Sequence, residues 1–158
     1  MVKPRLVIVV ATGGGFDPIH KGHLKLLEEA KTLGDHLQVW LCTDEWLTRK
    51  KGYYILPYEH RKAVLEALPF VDEVVVQIDD GTQTCAAAIR AYQPDILAKG
   101  GTYHLGMIPQ EEKDACNEVG CDIMLGVGGH LKEGSSTEFF KNAIQKVWNT
   151  SHNSLFIK

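Results

Sequence analysis

Short β-branched runs alternate with helical stretches along nearly the whole chain, and this alternation limits the fold more than any other feature. Residues 6–11 (Leu-Val-Ile-Val-Val-Ala) are apolar without a break, the pattern of a strand buried on both faces. Residues 21–34 then read as a helix: Leu24, Leu27, Ala30 and Leu33 recur every three residues, and Gly34 suits its end. The same alternation predicts strands over 38–43, 71–78, 96–99 and 122–125. It predicts helices from Pro57 to about Leu68, over 82–92 before Pro94, over 110–119 and over 136–148. Strands that alternate with helices connect by right-handed βαβ crossovers. The expected fold is therefore α/β, a Rossmann-like doubly wound sheet of five parallel strands in three layers, α/β/α. Such sheets bind ligands at the carboxyl ends of their strands, which directs attention to the loops after strands one, two, four and five.

The chain has 158 residues, of which 44% are apolar and 23% charged, enough for one domain with a full core. We expect that domain over 1–148 and a loose tail over 149–158, where Leu155, Phe156 and Ile157 could pack on a neighbour. The formal charge of −3 shows no basic excess, so no nucleic-acid partner is expected. No apolar stretch approaches a membrane span, and the first apolar run is too short for a signal-peptide core with a cleavage site. Cys42, Cys85, Cys116 and Cys121 show no CxxC spacing, which suits reduced, buried thiols in a cytoplasmic protein rather than a metal site.

The loop after the first strand carries the chemistry. It reads Gly13-Gly14-Gly15-Phe16-Asp17-Pro18-Ile19-His20-Lys21-Gly22-His23. A P-loop would need glycine at 20, and a dinucleotide fingerprint would need glycine at 18; histidine and proline stand there. The physics of a phosphate site is nonetheless present. Three glycines let backbone N–H groups approach an anion, and a helix N-terminus follows with free N–H groups and a positive dipole end. His20 and His23 share one side of the first helical turn, where two imidazoles could donate to α-phosphate oxygens. In-line attack on phosphorus needs such positioning and charge stabilisation more than covalent help.

Residues 14–23 resemble the signature of the cytidylyltransferase-like nucleotidyltransferase superfamily, a Gly-x-Phe-Asp turn followed by His-x-Gly-His. The resemblance continues in Val71-Asp72-Glu73-Val74 and in Gly134-Ser135-Ser136-Thr137, which is similar to the family's C-terminal phosphate loop. Within the superfamily, residues 31–35, 94–101 and 134–137 most resemble the adenylyltransferases of D-glycero-β-D-manno-heptose 1-phosphate. There the Lys-Gly-Gly loop is usually followed by aspartate and an aromatic; here Thr102-Tyr103 follows. Where relatives often carry threonine, cysteine or valine, this chain has Gly15, which is expected to loosen the loop.

The resemblance implies transfer of AMP from ATP to a sugar phosphate with release of pyrophosphate. The alternatives are a CTP-dependent cytidylyltransferase for a phosphorylated alcohol such as glycerol 3-phosphate, and a nucleotide-binding module without turnover. It implies catalytic roles for His20, His23 and Lys51, a mobile lysine in relatives. Nucleotide binding falls to Gly14, Gly15, Phe16, His20, His23, Lys99, Gly100, Gly101, Ser135, Ser136 and Thr137, and substrate binding to Asp17, Asp44 and Arg61. Asp44 could instead cap a helix or turn, Asp17 could hold its own loop, and Arg61 could face a partner subunit. Lys132 is the cation near the last loop. No resident protein metal site is implied; Mg2+ would accompany the triphosphate and neutralise charge as pyrophosphate leaves. Relatives are often homodimers, for which Trp148 and Phe156 are candidate contacts.

Overall fold

The computed structural model of the protein describes residues 6–101, 104–129 and 134–153. Thr102-Tyr103, Lys132 and residues 155–157 lie outside the described residues. Five strands, β1 (Val9–Gly14), β2 (His36–Leu41), β3 (Glu73–Val76), β4 (Ile96–Gly100) and β5 (Asp122–Val127), form one parallel sheet in the order β3-β2-β1-β4-β5. Six helices accompany them: α1 (Lys21–Thr32), α2 (Asp44–Lys51), α3 (Tyr58–Glu66), α4 (Ala86–Tyr92), α5 (Gln110–Val119) and α6 (Ser136–Asn153). The expected three-layer architecture is the one observed.

Strand alternation sorts the core into two faces. Val10, Leu37, Val39, Leu41 and Val74 pack with Leu27 and Ala30 of α1 and Leu65 of α3. Ala11, Trp40 and Leu97 point the other way, against Ala86, Ala88 and Ile89 of α4 and Ala115 and Cys116 of α5. Full burial of each large aliphatic side chain contributes about 1.5–3 kcal/mol. Gly34 directly follows the Leu33 C-cap, at the end of α1 as expected; its φ is not in the left-handed region, and its lack of a side chain serves packing. A β carbon on Gly34 would sit 2.7 Å from Val10 Cγ2 and 2.8 Å from the Ile8 carbonyl.

Several boundaries differ from the sequence reading. β1 begins and ends three residues later than expected, with Gly13 and Gly14 laddered to Trp40 and Leu41. A strand ladder is made by the backbone, so glycines can end it. α2 occupies what reads as a loop; Thr43 caps it by accepting the Trp46 N–H at 3.1 Å, and Gly52 closes it at φ 87°. α6 continues through Asn153, so residues 149–153 are helix rather than loose tail. Trp148 is exposed on α6. All four cysteines are free and buried. Among the described residues, no helix is long and apolar enough to cross a membrane.

The order of strands reverses between β1 and its two neighbours β2 and β4. The β1 and β4 carboxyl ends therefore open a crevice, and the glycine loop lies at its lip.

Candidate active site

Two adjoining clefts occupy this crevice. The first, about 620 Å³, runs from the glycine loop and His20 past Lys99 and Gly100 to Val127 and Gly128. The second, about 400 Å³, lies beside Trp46, Lys51 and Gln77. They share a wall that includes Gly13, Gly14, Phe16, His23, Lys50, Lys99, Ser136 and Thr137.

The two histidines are fixed by the start of α1. His20 is its N-cap, and its Nδ1 accepts the Gly22 N–H at 3.0 Å. His23 Nδ1 accepts the His20 N–H at 3.2 Å, so the two form a reciprocal capping box. A backbone N–H can only donate, so both Nδ1 atoms must be bare and each neutral ring carries its hydrogen on Nε2. The fold thus selects the tautomer that leaves a donor at the outer end of each ring. The rings stack with centroids 3.8 Å apart, and Phe16 packs against His23 at 4.9 Å. Burial lowers the His20 pKa; burial, then the neighbouring His20, lowers that of His23 to about 3. Both rings are neutral donors at pH 7.

This neutrality has a pH consequence for stability. A histidine in an unfolded chain ionises near 6.5, whereas His23 in the fold does so at about 3. Between these values only the unfolded chain takes up the proton. The contribution is complete above about 6.5 and declines as pH falls toward 3, by about 1.4 kcal/mol per pH unit for one group. His20 acts in the same direction. The urea midpoint is expected to drop between pH 7 and pH 5, and to drop less steeply in His23→Gln; parallel pH profiles for the two proteins would contradict the assignment.

The remaining predicted residues divide clearly. Gly14, Gly15, Phe16, Lys99, Gly100, Gly101, Ser135, Ser136 and Thr137 all line one or both clefts. At Gly15 a β carbon would lie 2.8 Å from Leu47 Cδ2, so the missing side chain also leaves room for α2. Ser136 donates its hydroxyl to the Pro18 carbonyl at 2.8 Å, fastening α6 to the loop, and the Glu138 N–H reaches Ser135 Oγ at 3.5 Å; the positive end of the α6 dipole faces the cleft that Ser135, Ser136 and Thr137 line. Lys51 lines the second cleft, 3.6 Å from Asp17 and over the Tyr53 ring at 5.0 Å.

The three residues expected to bind substrate have other work. Arg61 is 1% exposed and lines neither cleft. Its guanidinium donates to the Leu56, Gly15 and Cys42 carbonyls, each at 2.8 Å, and to Asp44 Oδ1 at 2.6 Å. Asp44 is therefore not the cap, which is Thr43, and lines neither of these two clefts; it is the counter-ion of Arg61. Asp17 borders the second cleft, yet its two oxygens accept the Ile55 and Leu56 N–H groups at 2.7 Å. It holds another segment against the loop rather than folding back on its own.

Four residues escaped the sequence reading. Lys50 lines both clefts and lies over Trp46 at 4.7 Å. Its neighbour Arg49 is instead paired with Asp79 at 2.6 Å, so the consecutive cations Arg49, Lys50 and Lys51 point to three different partners. Glu112, 4% exposed on α5, pairs with Lys99 at 2.8 Å and accepts the Cys85 N–H at 3.0 Å. Burial pushes the Glu112 carboxyl upward, but Lys99 and the Cys85 N–H outweigh it and hold it below the ordinary value. Gln77 and Trp46 complete the second cleft. A glutamine directly after three consecutive valines, inside the strand predicted over 71–78, was the available signal for Gln77.

The cytidylyltransferase-like family model matches residues 11–144, and the chain belongs to that family. It is 38% identical over 144 residues to the bifunctional protein HldE of Methylococcus capsulatus, covering 87% of this chain and 28% of that protein. It is 52% identical over 66 residues to glycerol-3-phosphate cytidylyltransferase of Bacillus subtilis, covering 42% of this chain and 51% of that protein. The chain thus spans roughly a quarter to a half of these relatives. The crystal structure of a lipopolysaccharide core biosynthesis protein from Thermoplasma volcanium shares the fold, with a TM-score of 0.62 at 23% identity, covering 82% of this chain and 99% of that one.

Proposed function

We propose that the protein is a nucleotidylyltransferase that moves AMP from ATP to a sugar phosphate, resembling heptose 1-phosphate, and releases pyrophosphate. The observation that carries this reading is the pair of neutral imidazoles locked with Nε2–H outward beside a wall common to two clefts. One reactant in each cleft brings two phosphates together at that wall. The nucleoside triphosphate belongs in the first cleft, its base and ribose toward Gly100, Gly101, Gly128 and Gly129. The acceptor belongs in the second.

An oxygen of the acceptor phosphate attacks the α-phosphorus in line, a new P–O bond forms, and the bond to the β-phosphate bridging oxygen breaks. The acceptor is already an anion at neutral pH, so no base need remove a proton. His20 and His23 donate to the α-phosphate oxygens as charge builds on them. The amides at the start of α6 and the ammonium groups of Lys50, Lys51 and Lys99 compensate the remaining phosphate charge. Among the described residues no group of three or more His, Cys, Asp or Glu side chains could hold a metal. Both Asp17 oxygens are taken by backbone. Mg2+ would arrive as part of the Mg–triphosphate substrate and would neutralise charge on the departing pyrophosphate. Homodimer assembly and a cytoplasmic location belong to the same proposal.

The Bacillus subtilis relative favours a second reading, CTP with a phosphorylated alcohol. Pyrophosphate release measured for ATP, CTP, GTP and UTP against sugar phosphates and glycerol 3-phosphate separates them. ATP with a sugar phosphate is expected to be the fastest pair. CTP with glycerol 3-phosphate in first place would replace the leading reading, and no release with any pair would remove both.

A further inference from the structure

The second cleft contains a buried amide that the phosphate chemistry does not use. We propose that Gln77, with Gln83 at the rim, determines acceptor specificity by reading hydroxyl groups, so that the acceptor is a polyhydroxylated phosphate and not an amino-alcohol or choline phosphate. This inference rests on the proposed transfer reaction and on the second cleft as its acceptor site.

Gln77 follows β3, its N–H continuing the ladder to the Leu41 carbonyl at 2.9 Å. Its side chain turns inward over the end of β1 and is 5% exposed. The amide lies so close to β1 that a β carbon on Gly13 would approach its Oε1 to 2.9 Å, which gives Gly13 a reason beyond phosphate access. Its protein partner there is weak, the Cys42 thiol at 3.5 Å from Oε1. A primary amide offers two donors and an acceptor with two lone pairs, so most of its capacity is left toward the cleft it lines. A buried polar group in that position favours a ligand that hydrogen-bonds to it over one that leaves it bare.

The charges around the cleft point the same way. Its cations are Lys50, Lys51 and Lys99, and its carboxylates are Asp17 and Glu112. Each carboxylate already faces a lysine, Asp17 with Lys51 at 3.6 Å and Glu112 with Lys99 at 2.8 Å. Cys42 and Cys85 bear no charge, burial having pushed both thiols up to about 12. An ammonium would find a net positive wall and no carboxylate without a counter-ion. Hydroxyls would find two neutral amides. The volume of about 400 Å³ is within the range of small-molecule sites.

The test compares kcat/KM of the full chain for glucose 1-phosphate, mannose 1-phosphate and glycerol 3-phosphate with that for phosphoethanolamine and phosphocholine, under saturating triphosphate. The two ammonium compounds are expected to react at least tenfold less well. Gln77→Leu is expected to lower kcat/KM for the hydroxylated acceptors roughly tenfold or more while leaving the ammonium compounds and the triphosphate KM nearly unchanged. Gln83→Ala, at an exposed position, keeps the comparison available should the buried variant fold poorly; it is expected to act in the same direction and less strongly. Equal losses for all acceptors, or preference for an ammonium acceptor, would overturn this inference while leaving the transfer reaction standing. No turnover of any acceptor would remove the reaction itself.

Discussion

His20→Asn is expected to lower kcat about 100-fold or more while barely changing the melting temperature. The same loss is expected from His20→Ala and His23→Ala, but those variants also remove a cap. His20 Nδ1 holds the Gly22 N–H and His23 Nδ1 holds the His20 N–H, so alanine at either place frees a backbone donor at the start of α1. Losing an N-terminal cap costs about 1 kcal/mol. Asparagine is among the best N-caps, and its side-chain oxygen can take over the Gly22 N–H. It cannot place a donor where Nε2–H stood. His23→Gln makes the same separation at the third helical position, where glutamine completes a capping box. A preorganised donor to a developing oxyanion is worth two to three orders of magnitude in kcat. Pyrophosphate release at saturating substrates, paired with thermal unfolding, distinguishes the roles. Near-normal turnover in His20→Asn and His23→Gln would make the pair a structural cap and nothing more.

The same residues show how far sequence reasoning reached. The His-x-x-His spacing indicated two rings on one turn, and the structure has them there; the Gly22 and His20 amides beside them are not bare but are held by the rings themselves. What spacing could not express was the reciprocal bonding that fixes the tautomer, because it depends on backbone angles at His20. The parallel sheet was legible because each strand holds a short apolar run, at 9–11, 39–41, 74–76, 96–98 and 123–125, set between helical stretches. α2 was not, since its eight residues have only Trp46 and Leu47 buried, too few to produce a period. β1 was displaced because Gly13 and Gly14 signal turns in sequence, while their ladder to β2 is invisible there. Gln77 and Glu112 were missed for a common reason. A polar residue in an element normally reads as solvent-facing, and only the tertiary contacts reveal that these two are buried at the cleft.

Arg61 is the strongest instance, and it yields the largest expected effect on stability. As a helix arginine in a phosphate-binding protein it invites a ligand role. Its guanidinium instead ties together Gly15 after β1, Cys42 after β2, Leu56 before α3 and Asp44 at the start of α2. Arg61→Ala leaves three carbonyls and a carboxylate without their donors and opens a void, since the side chain is fully buried. Removing one partner from a buried, hydrogen-bonded ion pair costs roughly 3–5 kcal/mol. For a domain near this size each kcal/mol shifts melting by roughly 2–4 °C, so a fall on the order of 10 °C is expected. Arg61→Lys should recover little of it, because one ammonium cannot span acceptors on several segments as the planar fork does. Asp44→Asn retains an acceptor for Nη2 and should cost much less. Differential scanning calorimetry of the three variants, with triphosphate KM measured below their transitions, decides between bracing and binding. A normal melting temperature with a strongly raised KM in Arg61→Ala would return this side chain to the ligand. The expected opposite, low melting with KM changed little in whatever fraction remains folded, would mean that the glycine loop keeps its position because an arginine beneath it holds the Gly15 carbonyl.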